Sequence, residues 1–377
     1  MSLRSEIREL GASARFTWML VTGAVAGRAA QPVRPDEDEI RAAVAGGGFA
    51  LRDLLKPLYF FSLVAVSAVA LHQLINSGLR QISTSEFGTF NRVVAGDVNA
   101  DILINGSSRA LVHYDPRVIQ KITGRTACNL GRNALQTDMQ LAFLKAYLAH
   151  NRKPAMVIQN LDPFTFVTTH QGEIYAPGFF LPYLNEESIY QALLKVDPGV
   201  WKWKYLPLYG YVVEDMRFTW VLGLERLAGF QPPEDNFQGF EPRHSPWTGD
   251  FDRFREHNPD GIELAIEPQA VRDLEGLIEV CRQQGVVLVL VYSPEYVGMQ
   301  ALERNRDEVF AKFRQVAERF QVPVWDYSDS PLCRDRANFY NSQHLNAEGA
   351  EAFSADLARR LMQSGLLPAT ERTADSH

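Results

Sequence analysis

At 377 residues, the chain is long enough for one sizeable domain with appendages or for two small domains. Its formal net charge of -7 and the absence of a basic stripe argue against a nucleic-acid-binding protein. The cysteines Cys128, Cys281 and Cys333 have no metal-ligand spacing, and we predict neither a metal ion nor a cofactor. One disulfide is possible in an oxidising compartment, but the sequence does not choose the pair.

The N-terminal region precedes the main domain. We predict that residues 1–56 form a cytoplasmic arm. Its apolar stretch Phe16–Gly27 is too short to span a membrane comfortably and suits an interfacial helix or a partner-binding element. The prolines, acidic run and glycine triplet that follow indicate a flexible linker.

The segment Pro57–Leu79 contains no charged residue and is bracketed by Lys56 and Arg80. At a rise of about 1.5 Å per residue, it covers the roughly 30 Å hydrocarbon core of a bilayer. It begins too late for an ordinary cleaved signal peptide, so we predict a retained signal anchor that spans the membrane once. The alternative is a buried core helix, since polar residues weaken its second half.

Basic residues are distributed unevenly around this segment. Those that precede it are Arg4, Arg8, Arg15, Arg28, Arg34, Arg41, Arg52 and Lys56. Only Arg80 and Arg92 follow closely. The positive-inside rule therefore predicts a cytoplasmic N-terminus and an extracytoplasmic main domain, with residues 80–99 as a linker.

In the main domain, residues 100–365, apolar strands alternate with helical patterns, and a flexible tail, residues 366–377, follows. The predicted strands are 100–105, 126–130, 155–159, 286–291 and 322–325, and the predicted helices are 138–150, 268–284, 304–320 and 347–362. Continuous apolar strands joined by helices predict an α/β fold of three layers, α/β/α, with a mostly parallel sheet.

Residues 163–265 interrupt this alternation with an insertion rich in aromatic residues and prolines. We predict that it covers the edge of the sheet that carries the site. Its rings could stack on sugars, contact lipid headgroups or fill a small core, and the sequence leaves these three interpretations open.

Polar residues follow several predicted strands, and the carboxyl ends of parallel strands meet at one edge of a sheet. Ser108 comes after the first strand and His344 just before the last helix, as a nucleophile and its base require. The Ser108 and Gly131 N–H groups and the Asn160 side chain are candidate oxyanion donors. The structural alternative for Ser108 is a helix N-cap.

These residues resemble the SGNH (GDSL-like) hydrolase superfamily. The corresponding blocks are Gly106-Ser107-Ser108, Asn129-Leu130-Gly131, Asn160 and Asn341-Ser342-Gln343-His344. The resemblance spans about residues 100–165 and 285–365 and implies a flavodoxin-like sheet. Within the superfamily, the chain is most similar to the membrane-anchored envelope branch, which includes the D-alanyl transfer protein of teichoic-acid modification and exopolysaccharide O-acetylation proteins.

The resemblance implies a bacterial inner-membrane protein with a periplasmic catalytic domain. The implied function is that of an O-acyltransferase or esterase acting on a cell-envelope or exopolysaccharide through a Ser–His acyl-enzyme mechanism. The implied partner is a membrane-bound O-acyltransferase or a polysaccharide synthase. The alternatives are a catalytically degenerate scaffold of such a complex and a lipid esterase that uses the aromatic insertion as a lid.

The sequence departs from the family at Asn341, where an aspartate is usual. Replacing the triad carboxylate by an amide costs about 10⁴ in kcat in a serine protease. Three outcomes are open: Asn341 orients His344 through its carbonyl oxygen, a carboxylate of the same loop substitutes, or the site is catalytically weak. The candidate substitutes are Asp326, Asp329 and Asp335.

Overall fold

The computed structural model describes residues 51–170, 174–213, 216, 218–233 and 236–368. The chain divides into two compact units, residues 1–62 and 63–377. Of the first unit, only residues 51–62 are described. Most of the predicted cytoplasmic arm, including Phe16–Gly27, and most of the predicted tail lie outside the described residues.

The second unit is built on a five-stranded parallel sheet. Its strands are β1 (Ile102–Asn105), β2 (Ala127–Asn129), β3 (Met156–Leu161), β4 (Val287–Tyr292) and β5 (Val324–Asp326). Their order is β2-β1-β3-β4-β5, and each neighbouring pair is parallel. This is the flavodoxin-like strand order, so the predicted sheet is confirmed.

Helices and short 3₁₀ turns connect the strands. The helices are α1 (Leu51–Arg80), α2 (Ser85–Ala95), α3 (Ser108–His113), α4 (Pro116–Thr123), α5 (Thr137–His150), α6 (Glu187–Val196), α7 (Trp201–Tyr205), α8 (Tyr209–Val212), α9 (Thr219–Leu227), α10 (Asp250–His257), α11 (Pro268–Gln284), α12 (Val297–Gln300), α13 (Arg306–Phe320) and α14 (Ala347–Ser364). The four helices predicted from periodicity appear as α5, α11, α13 and α14, with ends that differ by no more than a few residues.

The sheet is covered on both faces, as predicted. Successive strand residues point to opposite sides, so Leu103 joins one core cluster while Ile102 and Ile104 join the other. The first cluster contains side chains of α5, α11 and α13, and the second contains side chains of α4 and α14. Residues that are apolar along the whole strand therefore become buried from both sides.

Residues 80–99 contain a helix rather than only the predicted linker. Phe90 and Val93 of α2 are buried in the first core cluster, and Phe90 lies 4.4 Å from Phe143 of α5, measured between ring centroids. The apolar face of α2 was too short to stand out in the sequence, but it packs firmly once α5 is in place.

The insertion divides into two parts. The described residues between 174 and 230 pack against α1, α2 and α5, and the buried rings of Phe179, Phe180 and Tyr183 fill a core there. Residues 236–251 run beside the carboxyl edge of the sheet. Gly239 approaches the Asn129 carbonyl so closely that a Cβ atom would lie 1.8 Å from its oxygen. Much of the aromatic content is thus core, one of the three interpretations that the sequence left open.

Among the described residues, α1 is the one helix long and apolar enough to cross a membrane. Its middle is exposed in the structure, whereas Ile75 and Leu79 near its C-terminal end are buried. A buried core helix, the alternative interpretation of this segment, does not describe this pattern of exposure.

Candidate active site

Ser108 is placed by a sharp turn between β1 and α3. Gly106 makes this turn possible, because a Cβ atom there would lie 2.7 Å from the Ala110 Cβ and 2.8 Å from the Asn160 Cβ. The adjacent Ser107 is the N-cap of α3, and its Oγ accepts the Arg109 N–H at 3.4 Å. The capping role, the structural alternative for Ser108, therefore falls to its neighbour and leaves the Ser108 hydroxyl available.

Ser108, His344 and Asn341 form a continuous hydrogen-bonded line. The Ser108 Oγ lies 2.8 Å from the Nε2 of His344. The other ring nitrogen of His344, Nδ1, lies 2.9 Å from the Asn341 Oδ1. Residues separated by more than two hundred positions in the chain thus meet in the arrangement of nucleophile, base and orienting group.

Asn341 presents its carbonyl oxygen rather than its amide nitrogen to the histidine. The same Oδ1 accepts the backbone N–H groups of Gln343 and His344, each at 3.0 Å. Because two backbone donors fix this oxygen as an acceptor, the His344 Nδ1 must carry a proton and donate it. The Nε2 is then the unprotonated nitrogen and can accept the Ser108 hydroxyl proton.

The candidate substitute carboxylates do not hydrogen-bond to His344, since both of its ring nitrogens already have partners. Asp326 accepts the Ser328 hydroxyl at 2.5 Å, and Asp335 accepts the Ala337 N–H at 2.9 Å. Within the described residues, the orienting group of His344 is therefore the amide of Asn341.

The surroundings of His344 disfavour its charged form. Burial lowers the pKa of His344 to about 3, and the positive charges of Arg109 and Arg243 act in the same direction. The Tyr340 ring stacks on the imidazole, with 5.4 Å between ring centroids and 18° between planes. The base is thus neutral at physiological pH, but an imidazolium formed during a reaction has no anionic neighbour in direct contact.

A second histidine, His113, holds the loop that carries the base. Its Nε2 accepts the Leu345 N–H at 3.0 Å, and its Nδ1 lies 2.8 Å from the Ser293 Oγ. His113 is fully buried, and its pKa is well below the ordinary value, through burial first and then the charge of Arg109. Nothing in the sequence marks His113 in advance, because one polar residue in a short helix follows no pattern.

Arg109, directly after the nucleophile, is buried beneath the site. Its guanidinium stacks over the Tyr292 ring at 4.4 Å and donates to the backbone carbonyls of Ser293 and Pro294. Its Nε lies 3.8 Å from the Asp162 Oδ1. These contacts tie α3 to the loop after β4 and so fix the start of α3, where Ser108 lies.

The two candidate oxyanion residues beyond Ser108 are engaged elsewhere in this structure. The Gly131 N–H donates to the Asn129 Oδ1 at 2.8 Å, and the Asn160 Nδ2 donates to the Asp162 Oδ1 at 2.9 Å. The cavity that contains Ser108 and His344 is not lined by either residue. Their oxyanion role stays a prediction, and it requires both donors to leave their present acceptors.

The cavity at Ser108 is small, about 200 Å³. Its other lining residues are Ser107 and Arg109 at the start of α3, Ala134 to Gln136 and Asp162 to Phe164 in two loops, and Gln343 beside the base. Of the described insertion residues, only Pro163 and Phe164 line this cavity, so the predicted cover over the site is limited to the first residues of the insertion. The described residues contain no group of three or more His, Cys, Asp or Glu side chains that could hold a metal ion.

The fold and the site together define an α/β protein with a serine–histidine pair at the carboxyl edge of a parallel sheet. No protein-family model matches the chain, and no curated protein matches it. Two similar solved structures are a protein assigned to the G-D-S-L lipolytic family from Desulfitobacterium hafniense DCB-2 and a protein assigned as an acylhydrolase from Bacteroides fragilis NCTC 9343.

The first of these structures has 12% sequence identity and a TM-score of 0.32, with 68% of this chain and 97% of the other covered. The second has 10% identity and a TM-score of 0.32, with 70% and 87% covered.

Proposed function

We propose that the protein is a membrane-anchored, extracytoplasmic esterase or O-acyltransferase that acts on acyl esters of a cell-envelope polysaccharide. The observation that carries this proposal is the hydrogen-bonded line from Ser108 through His344 to Asn341. Anchoring by α1 and the orientation with a periplasmic domain rest on the helix itself and on the positive-inside rule. The polysaccharide, and a membrane-bound acyltransferase or synthase as partner, rest on the resemblance to the envelope branch.

In the proposed reaction, the Ser108 Oγ attacks the carbonyl carbon of an acyl donor while its proton passes to the His344 Nε2. The tetrahedral intermediate collapses when His344 returns this proton to the leaving alcohol, and an ester on Ser108 remains. A second hydroxyl, from the glycan in transfer or from water in hydrolysis, then loses its proton to His344 and attacks the ester. The bond between the acyl carbon and the Ser108 Oγ then breaks, His344 returns the proton to Oγ, and the acylated glycan or the free acid leaves.

Asn341 supports this mechanism in one respect and weakens it in another. The protease variant with an amide in place of the aspartate is slow because its histidine is held in the wrong tautomer. Here, two backbone N–H groups hold the Asn341 oxygen toward Nδ1, so the tautomer is the correct one. What is missing is the negative charge that stabilises the imidazolium.

The size of the cavity favours a short acyl group. The cavity of about 200 Å³ beside Ser108 is large enough for an acetyl group and smaller than the roughly 300–1,000 Å³ of pockets that enclose larger ligands. This observation weighs against the lipid esterase among the alternatives considered above. Hydrolysis of acetyl, butyryl and octanoyl esters of one alcohol measures the preference directly, and a rate that rises with chain length would contradict it.

Labelling of the nucleophile tests the proposal. We expect the full-length protein in detergent to react with a fluorophosphonate at Ser108 and to release acetate from an acetyl ester, and we expect Ser108→Ala to lose both. Ser330→Ala is the control, since Ser330 caps a 3₁₀ turn through the Leu332 N–H and does not line the cavity, so it should cost about 1 kcal/mol of stability without loss of labelling. If Ser108→Ala turned over the ester as fast as the parent, Ser108 would not be the nucleophile.

The second candidate function is that of a scaffold in a polysaccharide-modifying complex. Two observations favour it: the low pKa of His344 and the amide in place of a carboxylate. A scaffold predicts that Ser108→Ala restores polysaccharide acylation to a strain that lacks the protein, whereas an enzyme predicts that it does not. Complex assembly, measured by co-purification of the membrane partner, must be intact in the variant for this comparison to decide.

A further inference from the structure

We propose that an exposed aromatic and apolar surface of the insertion lies in the lipid headgroup region of the bilayer, as a second membrane contact of the main domain. This inference rests on the proposed anchoring of the chain by α1. We call this surface the aromatic shelf, and its residues are Trp201, Tyr205, Val212, Trp220 and Phe230.

The aromatic shelf presents large apolar side chains to solvent within a short stretch of chain. Val212 is 73% exposed, Phe230 68% and Tyr205 62%. The shelf residues belong to α7, α8, α9 and the turn after α9. Exposed apolar side chains concentrated in this way mark a contact with a protein or a membrane rather than an ordinary soluble surface.

Polar contacts place the shelf helices beside the C-terminal part of α1. The backbone N–H of Leu208, just before α8, donates to the His72 Nδ1 at 3.3 Å. The hydroxyl of Tyr211, within α8, donates to the Asn76 Oδ1. Two polar residues in the second half of the predicted membrane span, His72 and Asn76, therefore bind the chain at α8.

A glycine pair brings α9 against the same end of α1. A Cβ atom on Gly78 would lie 1.9 Å from the Gly223 carbonyl oxygen, and a Cβ atom on Gly223 would lie 2.6 Å from the Ile75 carbonyl oxygen. Small residues that let helix backbones approach this closely are typical of helix packing at membranes. Trp220 and Phe230 flank this contact along the chain.

The length of α1 determines how deep in the bilayer these contacts lie. About 20 residues of α-helix cross the roughly 30 Å hydrocarbon core. Counted from Pro57, where the uncharged run begins, the outer boundary falls close to Asn76. The residue bound to Asn76 therefore lies at the membrane–water interface, where Trp and Tyr side chains are preferred, and the residue bound to His72 lies about one helical turn deeper.

The charges of this region favour lipid as the occupant. Lys202 and Lys204 alternate with the aromatic residues of α7, in the sequence Trp-Lys-Trp-Lys-Tyr. The Lys204 Nζ lies 4.0 Å from the Tyr190 ring centroid, so its apolar stem runs along an aromatic surface. Ammonium groups at this level attract anionic lipid headgroups, and the neighbouring rings enter the interface beside them.

Spin labels on single introduced cysteines test the inference in the full-length protein. The native Cys128, Cys281 and Cys333 are buried, and burial raises the pKa of Cys128 and Cys281 to about 12, so they react slowly with the label. Tyr205→Cys and Phe230→Cys report on the aromatic shelf. The protein is reconstituted in vesicles of phosphatidylcholine and phosphatidylglycerol, and label accessibility to oxygen and to a water-soluble nickel complex is measured.

Two further positions serve as controls. Met362→Cys places a label at an exposed apolar position on α14, on the sheet face opposite α5, and this label is expected to be in water. Val66→Cys places a label in the middle of α1. We expect the oxygen-to-nickel ratio at both shelf positions to exceed that at Met362 by about threefold or more, and to lie below that at Val66.

The outcomes separate this inference from the proposed anchoring. If the label at Val66 is in lipid while both shelf labels match Met362, the shelf does not contact lipid, the anchoring stands, and a protein partner becomes the alternative occupant. If the label at Val66 is itself aqueous, the anchoring fails and the shelf inference fails with it.

Discussion

The Asn341 Oδ1 lies 2.9 Å from the His344 Nδ1 and 3.0 Å from the backbone N–H of the same histidine. An aspartate in this position would make the same two contacts and would add a negative charge. The site therefore has the hydrogen-bond geometry of a serine triad without the negative charge of the third residue. This separation makes the two contributions of the third triad residue testable one at a time.

The first prediction concerns Asn341→Asp. A carboxylate beside Nδ1 should raise the pKa of His344 by about 1–3 units, since an opposite charge within a few ångströms favours the imidazolium. Turnover of an acetyl ester should rise by about tenfold or more, because the base becomes stronger and its charged form is stabilised. The pKa is read from the imidazole NMR signals of the two proteins, and turnover from acetate release.

Asn341→Ala is the control for orientation alone. It removes the acceptor from Nδ1 without adding charge, so turnover should fall by about 10²-fold or more as His344 loses its fixed tautomer. If Asn341→Asp raises the pKa of His344 and yet leaves turnover at the background rate, the result supports a scaffold and contradicts an enzyme.

The second prediction concerns pH. His344 must be neutral to accept the Ser108 proton, and its pKa is lowered to about 3. The value of kcat/KM should therefore stay flat from neutral pH down to about pH 4, well below the usual histidine limb near 6.5. Arg243→Gln removes one cause of the low pKa and should move the acid limb upward. An acid limb near pH 6.5 in the parent would contradict the low pKa.

The same pKa shift predicts how stability changes with pH. The folded pKa of His344 lies below its ordinary value of 6.5, so between those two values the unfolded chain binds a proton that the folded protein does not. The contribution of His344 to stability is complete above about pH 6.5 and declines as the pH falls toward 3. His113, whose pKa is also lowered, adds to this decline. Urea unfolding of the parent and of His344→Gln across this pH range separates the two histidines.

The third prediction concerns His113. Replacing it by Phe leaves the Leu345 N–H and the Ser293 hydroxyl without their buried partner, which should cost about 2–5 kcal/mol of unfolding free energy. Turnover should also fall, since Leu345 directly follows the base. Ser293→Ala removes only one of these bonds and should cost about 1–3 kcal/mol.

The control for this experiment is a partly exposed histidine that contacts a carboxylate. His150 lies 2.6 Å from Glu186, and His150→Gln should cost no more than about 1 kcal/mol and leave turnover unchanged. Urea unfolding and acetate release are measured for all variants. Equal losses of stability and turnover in the His113 and His150 variants would show that His113 does not position the loop that carries His344.

The sheet and the positions of Ser108 and His344 could be predicted because each depends on a local pattern. A β-branched run such as that of β4 specifies a buried strand, and parallel strands bring their carboxyl ends to one edge. Asn341 was recognised from its fixed spacing to His344. The choice among Asn341, Asp326, Asp329 and Asp335 as the group that contacts His344 could not be made in advance, because it depends on which way a loop folds.

The supporting residues of the site could not be predicted for a related reason. His113 and Arg109 act through contacts with Ser293, Pro294 and Tyr292, which lie more than 170 positions away in the chain. A single buried polar residue has no periodicity, and its partner is defined only when the sheet is assembled. The Asn129 side chain is two residues from Gly131, but its orientation depends on the Ala110 and Tyr114 carbonyls, which accept its Nδ2 and leave its Oδ1 facing the Gly131 N–H.

The last prediction concerns the contact between α1 and α9. Gly223→Val places a side chain against the Ile75 carbonyl oxygen, which is backbone and cannot move aside, so α9 must separate from α1. We expect the free energy of unfolding to fall by about 1–3 kcal/mol and hydrogen exchange to become faster across residues 218–230, with little change in the sheet.

Gly276→Ala, within α11, is the matched control, because its Cβ atom would meet only the Leu141 Cδ2 at an ordinary 3.5 Å. This control should be neutral or slightly stabilising, as alanine is a better helix residue than glycine. Exchange that rises equally in both variants, or in neither, would show that the close approach of the two helices does not hold α9 in place.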